Sequence, residues 1–306
     1  MISRHHERVM VTGAGSFIGG HLIRRLAAGG HEVIALCRSA PPPSGVSAVR
    51  ADLAEGVPAA VPSCDTVIHV AAVSQAPGRT LDEFIRDNYV ATRNLAAWAA
   101  SGGARRVIYL SAMSVYGRVI DPVVGSDTPI RDPDAYGISK HLGELTLRER
   151  AETVPALALR IPGVVGPGAH RNWLARTKAA LLAGEPVSIF NPDAPFNNAV
   201  HVADLCDFLV GLSGRDWRGF DVVPLGAADT LTIEEVVRLL AERTGSASSL
   251  CRQASAATSF IIDNGPAMER HGYRPAPLPD ILRRFADDGP RVETRPGSGA
   301  AGRLDR

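Results

Sequence analysis

The sequence has no surplus of charge and no long apolar run, and these two absences exclude whole classes of function. Its 306 residues include 33 basic and 32 acidic side chains, so nothing in the composition favours a nucleic-acid partner. No apolar stretch approaches the length of a membrane span. The N-terminal stretch is polar and leads straight into a predicted strand, which argues against a signal peptide. We therefore expect neither a nucleic-acid partner nor a membrane, but a small-molecule substrate.

Cysteine is also scarce. The four cysteines lie far apart and form no C-x-x-C pair: Cys37, Cys64, Cys206 and Cys251. This spacing suits neither a zinc site nor a disulfide framework. We expect no metal site and a reduced, cytoplasmic location.

Short β-branched runs alternate with helical stretches over the first 160 residues, which is typical of βαβ units and a parallel sheet. The predicted strands are 8–12, 32–37, 48–51, 66–70, 106–111 and 156–160, and the predicted helices are 17–28, 80–102 and 135–153. From about residue 162, clusters of glycine and proline indicate a smaller lobe of the kind that often carries substrate contacts. Further helices are predicted at 173–183, 202–212 and 233–244.

A glycine-rich turn follows the first strand and opens the first helix. Such a turn lets the backbone approach a pyrophosphate, whose charge then lies at the helix N-terminus. The predicted cofactor contacts in this turn are Gly13, Gly15, Ser16, Phe17, Ile18 and Gly19. The fold prediction is accordingly α/β, a Rossmann doubly wound parallel sheet with a smaller C-terminal substrate-binding lobe. The nucleotide-binding domain is assigned to residues 1–162, the lobe with returning Rossmann segments to 163–292, and a disordered tail to 293–306.

Tyr136 and Lys140 are four residues apart on a predicted helix and therefore share one face. A lysine ammonium in that position can lower the pKa of the phenol, so that the phenol exchanges a proton at neutral pH. The pair alone is a weak signal. Combined with a nucleotide-binding turn, it predicts hydride transfer.

Taken together, these motifs resemble the extended short-chain dehydrogenase/reductase family, of the NAD-dependent epimerase/dehydratase type. The family turn reads T-G-x-x-G-x-x-G; Thr12, Gly13 and Gly19 match, whereas Ser16 replaces the middle glycine. The resemblance implies further cofactor contacts at Asp52, Leu53, Ala71, Ala72, Asn88 and Pro162, and it makes Tyr136 and Lys140 both catalytic and cofactor-binding. It also implies a homodimer.

The second strand bears on the choice of cofactor. NAD-binding members need a carboxylate there for the adenosine ribose, but the strand ends at Cys37 and is followed by Arg38. An arginine can pair with a 2′-phosphate. The sequence therefore predicts NADP over NAD, with a solvated Arg38 as the open alternative.

The third catalytic residue departs from the family pattern. Counted back from Val115-Tyr116-Gly117, the expected hydroxyl falls on Ala112. If this stretch is extended, 112 and 114 point alike, which makes Ser114 the better substitute and Ser111 the second choice. Loss of such a hydrogen-bond donor costs roughly 10²–10³ in rate, so a slow or inactive protein is also possible. The stretch has no carboxylate to catalyse dehydration.

The lobe departs from the family pattern as well. Gly163 replaces an asparagine, and Asn197 replaces an arginine that binds diphosphate in nucleotide-sugar enzymes. The predicted substrate contacts are Ser74, Ser114, Gly163, Arg171, Asn172, Trp173 and Asn197, with Trp173 equally able to pack as core. The leading hypothesis is a ketoreductase acting at a secondary alcohol or ketone, on a substrate that is sugar-like by resemblance. The alternatives are a nucleotide-sugar epimerase with retained NAD and a cofactor-binding regulator without turnover.

Overall fold

The computed structural model describes residues 6–39, 46–255 and 258–288. Its centre is a seven-stranded sheet in the order β12-β7-β5-β4-β1-β2-β3, in which every pairing is parallel. The strands are, in chain order, β1 (Arg8–Thr12), β2 (Glu32–Cys37), β3 (Ser47–Arg50), β4 (Cys64–His69), β5 (Ala104–Ala112), β6 (Val123–Val124), β7 (Ala156–Ile161), β8 (Gly163–Val165), β9 (Val187–Phe190), β10 (Pro195–Phe196), β11 (Ala199–His201), β12 (Phe220–Pro224), β13 (Leu231–Thr232), β14 (Leu250–Gln253) and β15 (Ile261–Ile262).

The helices cover both faces of the sheet and build the lobe. They are α1 (Phe17–Ala28), α2 (Leu81–Phe84), α3 (Ala91–Trp98), α4 (Ala135–Glu149), α5 (Trp173–Ala183), α6 (Val202–Leu212), α7 (Ile233–Thr244), α8 (Gly265–His271) and α9 (Leu278–Asp287). The π-helical segment Ile85–Val90 joins α2 to α3, and a second one, Ala99–Gly103, follows α3; together they form the long central helix that the sequence predicts.

Each face of the sheet buries its own apolar cluster. On one face, Leu22 and Leu26 of α1 pack with Leu205 and Leu209 of α6 over the inner strands. On the other face, side chains of α3 and α4 such as Leu95 and Leu147 cover the same strands. Because both faces are covered, the strands are nearly continuously apolar, as in other parallel sheets.

The order of the strands determines where a ligand can bind. Strand β1 lies between β2 and β4, so the order in which successive strands are added to the sheet reverses at the β1–β4 boundary. In open parallel sheets, ligands bind beyond the carboxyl ends of the strands at such a switch point. The glycine-rich turn after β1 and the segment after β4 both lie there.

The α/β fold with a parallel Rossmann sheet is confirmed, and the predicted strand bounds differ from the observed ones by at most two residues. Helix α4 ends at Glu149 rather than at residue 153. The sequence analysis missed β12, which returns from the second half of the chain to pair with β7, and it also missed α8 and α9. The predicted tail at 293–306 lies outside the described residues.

Candidate active site

The turn after β1 brings backbone into close contact with the segment after β4. Gly13 has φ +67°, and a Cβ there would lie 2.8 Å from the Ala71 backbone. A Cβ on Gly19 would lie 2.2 Å from the Gly13 carbonyl oxygen. Ser16, the departure from the family pattern, is the N-cap of α1 and accepts a hydrogen bond from the Gly19 N–H at 3.1 Å. The serine therefore stabilises the helix start at which a pyrophosphate would lie.

A cleft of about 260 Å³ runs from this turn across the ends of the strands. Most of the predicted cofactor contacts line it: Gly13, Gly15, Ser16, Arg38, Asp52, Leu53, Ala71 and Ala72. The remaining ones do not line this cleft: Phe17 and Ile18 at the start of α1, Gly19 behind the turn, Asn88, Tyr136 and Lys140 of α4, and Pro162 between β7 and β8.

A charged rim closes the end of the cleft near β2. Arg38 donates to Asp87 at 2.8 Å, and Arg86 donates to Asp87 and to Asp52, both at 2.7 Å. Although burial alone would raise the pKa of Asp52, the hydrogen bond from Arg86 lowers it. The role of Asp87 was missed in the sequence analysis, which considered only the residues that follow β2.

Asn88 supports the wall of the cleft from the interior of the protein. Its amide oxygen accepts from the Val73 N–H at 2.8 Å, and its amide nitrogen donates to the Val73 carbonyl and to Ser139 on α4. Asn88 is 1% exposed. The structure therefore corrects its predicted cofactor contact: the amide is used inside the protein to join the cleft wall to the helix that carries Tyr136.

His69 is a hydrogen-bonded core residue. It lies between Thr12, at 2.6 Å, and Thr92, at 2.9 Å. Burial lowers the pKa of His69 to about 3. The imidazole is therefore neutral and stacks on Tyr109.

Helix α4 begins beside the cleft and carries the predicted catalytic pair. Asp134 caps it by accepting from the Gly137 N–H at 2.8 Å. Tyr136 is half-buried, whereas Lys140 is 1% exposed. The Lys140 ammonium lies 4.1 Å from the centre of the Tyr109 ring, and within the described ranges it has no hydrogen-bond partner. A buried ammonium of this kind is a ready donor to a polar ligand.

The pKa shifts of this pair run against the expectation from sequence. Burial and the nearby Asp134 carboxylate raise the pKa of Tyr136 to about 12. Burial lowers the pKa of Lys140 to about 7, which the Glu144 carboxylate partly opposes. The predicted lowering of the phenol's pKa by the lysine is therefore not seen in the protein alone: Tyr136 is protonated at neutral pH.

Ser111 belongs to a buried network behind the catalytic pair. Its hydroxyl donates to Glu144 at 2.6 Å, and Arg160 donates to the same carboxylate at 2.9 and 2.7 Å. Ser111 is 1% exposed. Because its only proton is committed, the structure corrects its candidate role as a catalytic donor. The network itself was missed, since Glu144 and Arg160 carry no motif of their own.

Ser114 is placed by a short helix rather than by an extended strand. Residues Met113–Tyr116 form a 3₁₀ turn directly after β5. The argument that 112 and 114 point alike on extended chain is therefore wrong. Ser114 is half-buried, its carbonyl lies against Gly137 of α4, and its hydroxyl has no hydrogen-bond partner in the described part of the chain. Ser114 stays the candidate donor because of this position.

Two predicted substrate contacts in the lobe are used by the fold. Asn197 is 4% exposed; it donates to the Ile262 carbonyl at 2.9 Å and accepts from the Ile262 N–H at 2.7 Å. Asn172 caps α5 and donates to the Val164 carbonyl at 2.7 Å. These contacts correct the prediction that Asn197 and Asn172 bind substrate.

The other lobe candidates lie closer to the opening. Arg171 is exposed and donates to the Ser74 hydroxyl at 2.8 Å, which joins the lobe to the segment after β4. A Cβ on Gly163 would meet only ordinary contacts, the nearest at 3.6 Å. Trp173 packs edge-on against Phe196, as the alternative of a core role expected.

Comparison with known proteins identifies this arrangement. The model of the family described as "NAD dependent epimerase/dehydratase family" matches residues 9–216 of the chain. The chain belongs to this family. It is an extended short-chain dehydrogenase/reductase with NAD-dependent oxidoreductase or epimerase chemistry, as the sequence motifs predicted.

Relatives within the family act on different substrates. The chain is 31% identical over 258 residues to a dTDP-6-deoxy-L-talose 4-dehydrogenase (NAD(P)(+)) of Kitasatospora kifunensis, covering 78% of this chain and 79% of the relative. It is 34% identical over 172 residues to a 2-alkyl-3-oxoalkanoate reductase of Stenotrophomonas maltophilia, a match that spans 53% of this chain and 52% of the relative. The solved structure of MoeE5 with UDP-glucuronic acid and NAD superposes with a TM-score of 0.78 at 28% identity, covering 92% and 98% of the two chains.

The residues present fit a nicotinamide dinucleotide. The turn at Gly13 and Gly19 has no room for side chains, the cleft passes the N-terminus of α1, and the Lys140 ammonium is buried without a hydrogen-bond partner inside the described ranges. Among the described residues, no cluster of His, Cys, Asp or Glu could hold a metal ion, and no helix is both long and apolar enough to cross a membrane.

Proposed function

We propose that the protein is an NAD(P)-dependent ketoreductase that interconverts a ketone and a secondary alcohol. The observation that carries this proposal is the placement of Tyr136 and Lys140 on one helix, whose N-cap residue Asp134 accepts a hydrogen bond from Gln75, two residues after Val73 of the cleft wall. A protonated phenol is the acid that a developing alkoxide needs in reduction. The dinucleotide would supply the hydride to the carbonyl carbon.

The protein's own residues then have separate tasks. Tyr136 donates its proton to the carbonyl oxygen. The Ser114 hydroxyl, which has no partner among the described residues, donates a second hydrogen bond to the same oxygen as negative charge develops there. Lys140 provides positive charge behind the phenol and a donor for a ribose hydroxyl. Asn88 and Asp134 hold α4 and the cleft wall in register.

A second candidate is sugar epimerisation with retained NAD. It is favoured by a relative named UDP-glucose 4-epimerase from Mycolicibacterium smegmatis, 30% identical over 230 residues. Against it, Asn197 is saturated by backbone groups and cannot bind a diphosphate. The third candidate, a regulator without turnover, rests on Ala112 alone, since Tyr136 and Lys140 are both in place.

We also propose a preference for NADP. Arg38 lies at the cleft rim, and of its guanidinium only one nitrogen is used within the described ranges, for Asp87. Its remaining donors can pair with a 2′-phosphate. The Asp87 carboxylate works in the other direction, because an acid at this rim suits the ribose hydroxyls of NAD.

A cytoplasmic homodimer with two lobes, divided near residue 162, completes the proposal. All four cysteines are free, which agrees with a reduced compartment. Leu81 on α2 and Ile138 on α4 are 52% and 40% exposed, and these helices pack against each other. An apolar surface of this kind supports dimerisation through α2 and α4.

The test combines nucleotide titration with one substitution. Purified protein is titrated with NADPH and NADH, co-purified nucleotide is measured, and ketone reduction is followed with and without Tyr136→Phe. We expect exchangeable NADPH, reduction by wild type, and at least a 10²-fold loss of kcat in Tyr136→Phe with nucleotide affinity retained. Stoichiometric trapped NAD would favour the epimerase, and turnover that survives Tyr136→Phe would contradict the mechanism.

A further inference from the structure

Arg171 has no acidic partner among the residues that the structure describes. It is exposed, and none of the described Asp or Glu side chains lies within salt-bridge distance of it. One guanidinium nitrogen donates to the Ser74 hydroxyl at 2.8 Å, and the Arg171 carbonyl accepts from Arg176 at 3.2 Å. The backbone of the residue is therefore held while most of its donors stay unused.

The loop before Arg171 crosses the mouth of the site. The Pro167 carbonyl lies 2.9 Å from His21 of α1, and a Cβ on Gly168 would lie 3.6 Å from the Phe17 ring. The loop thus starts at the pyrophosphate end of the cleft and ends at Ser74.

Ser74 lies at the catalytic end of the cleft. The residue before it, Val73, lines the cleft, and the residue after it, Gln75, hydrogen-bonds Asp134, the N-cap residue of the helix that carries Tyr136. The Arg171 guanidinium is therefore linked, through Ser74 and the neighbouring Gln75, to the N-terminus of the helix that carries Tyr136.

Three other polar side chains of the lobe are already used. Asn197 and Asn172 are bonded to backbone groups, and Lys178 donates to the Phe285 carbonyl. An anionic substrate group would therefore pair with Arg171 rather than with these residues.

We propose that Arg171, held by Ser74, binds the carboxylate of a keto acid whose ketone faces Tyr136. One planar guanidinium beside one hydroxyl matches the two oxygens of a single carboxylate. The assignment rests on the proposed ketoreductase function and names its substrate class.

The experiment compares acids with their uncharged esters. Reduction of 3-oxobutanoate, 3-oxooctanoate and their methyl esters is measured with NADPH in wild type, Arg171→Met and Arg171→Lys. We expect kcat/KM for the acids to fall roughly 10- to 100-fold in Arg171→Met, mainly through KM, with the esters unchanged. Arg171→Lys restores part of the loss. Arg283→Met, which removes a surface arginine of α9, is the matched control and leaves all four rates unchanged.

A binding measurement separates this inference from the function it rests on. Titration calorimetry with 3-hydroxyoctanoate, its methyl ester and uridine diphosphate is carried out in the presence of NADP⁺. If no ketone is reduced, the ketoreductase fails, but weaker binding of the acid alone in Arg171→Met still supports the carboxylate site. Two kinetic results would overturn the carboxylate site: equal losses for acid and ester in Arg171→Met, or an effect confined to the KM of NADPH. Two binding results would also overturn it: no binding of the acid, or preferred binding of uridine diphosphate.

Discussion

At the scale of single residues, the buried carboxylate of Glu144 joins the catalytic helix to the sheet. It is paired with Arg160, and their side chains are 3% and 5% exposed. Although burial alone would raise the pKa of Glu144, the hydrogen bonds from Arg160 and its neighbours lower it to about 2. Removing one partner of a buried ion pair leaves the other charge buried without a partner.

Glu144→Gln should therefore lower the free energy of unfolding by about 3–5 kcal/mol. Urea denaturation at pH 7 measures this loss. In Glu144→Gln/Arg160→Met the stranded charge is gone, so the double variant should be more stable than Glu144→Gln. If the stability losses of Glu144→Gln and Arg160→Met simply added in the double variant, the two side chains would not interact.

The same pair makes the free energy of unfolding depend on pH. The folded-state pKa of Glu144 is about 2, below the unfolded value of about 4.3. The group therefore stabilises the fold above pH 4.3, and this contribution is lost as pH falls from about 4 to 2. The decline in unfolding free energy over that range should be shallower in Glu144→Gln than in wild type.

Sequence reasoning placed Tyr136 beside Lys140 but did not predict the network behind them. Tyr136 and Lys140 are one helical turn apart, so their proximity follows from helix periodicity alone. Glu144 and Arg160 lie on different elements, and Ser111 reaches them because it pairs with Arg160 across β5 and β7. Strand register of this kind comes from the whole sheet, and no local motif records it.

At the scale of elements, Gly137 sets how closely α4 approaches the turn that carries Ser114. A Cβ on Gly137 would lie 2.2 Å from the Ser114 carbonyl oxygen. Gly137→Ala should therefore push the Met113–Tyr116 turn away from Tyr136. A displacement of about 1 Å can cost roughly 10² in rate, so we expect that loss in kcat with little change in NADPH affinity.

A matched glycine controls for the effect of alanine in a helix. Gly211 lies in α6, and a Cβ there would meet nothing within 4 Å. Gly211→Ala should raise the free energy of unfolding by about 0.5–1 kcal/mol and leave kcat unchanged. If Gly137→Ala behaved in the same way, close packing of α4 on the turn would not be what positions Ser114.

The elements themselves were largely predictable, and the exceptions have physical reasons. The β1–turn–α1 unit follows from an apolar run, glycines and a helical pattern that are contiguous in sequence. The choice of Ser114 assumed an extended segment. The structure has a 3₁₀ turn that ends at Gly117, whose φ of +65° and closeness to the Arg131 carbonyl depend on a segment 14 residues later. Such a turn is fixed by packing, not by local preference.

At the scale of the molecule, the two lobes are not independent in structure. Strand β12, from the second half of the chain, pairs with β7, and α6 covers the apolar face of the sheet against α1. A fragment ending at residue 162 would lack both. It would expose the β7 edge and the buried side chains Leu22, Ile23 and Leu26 of α1.

We therefore expect the fragment 1–162 to aggregate or to unfold without a cooperative transition, whereas the full chain unfolds cooperatively. Without α6, several leucine and isoleucine side chains of α1 lose the helix that buries them. Burying one such side chain contributes about 1.5–3 kcal/mol to the free energy of unfolding. Size-exclusion chromatography and urea denaturation followed by circular dichroism check this. A monomeric fragment with a cooperative unfolding transition would show that residues 1–162 fold on their own and that β12 and α6 are not needed for their stability. If the fragment fails as expected, the parallel sheet depends on β12 and α6 from the second half of the chain, which complete its β7 edge and cover α1.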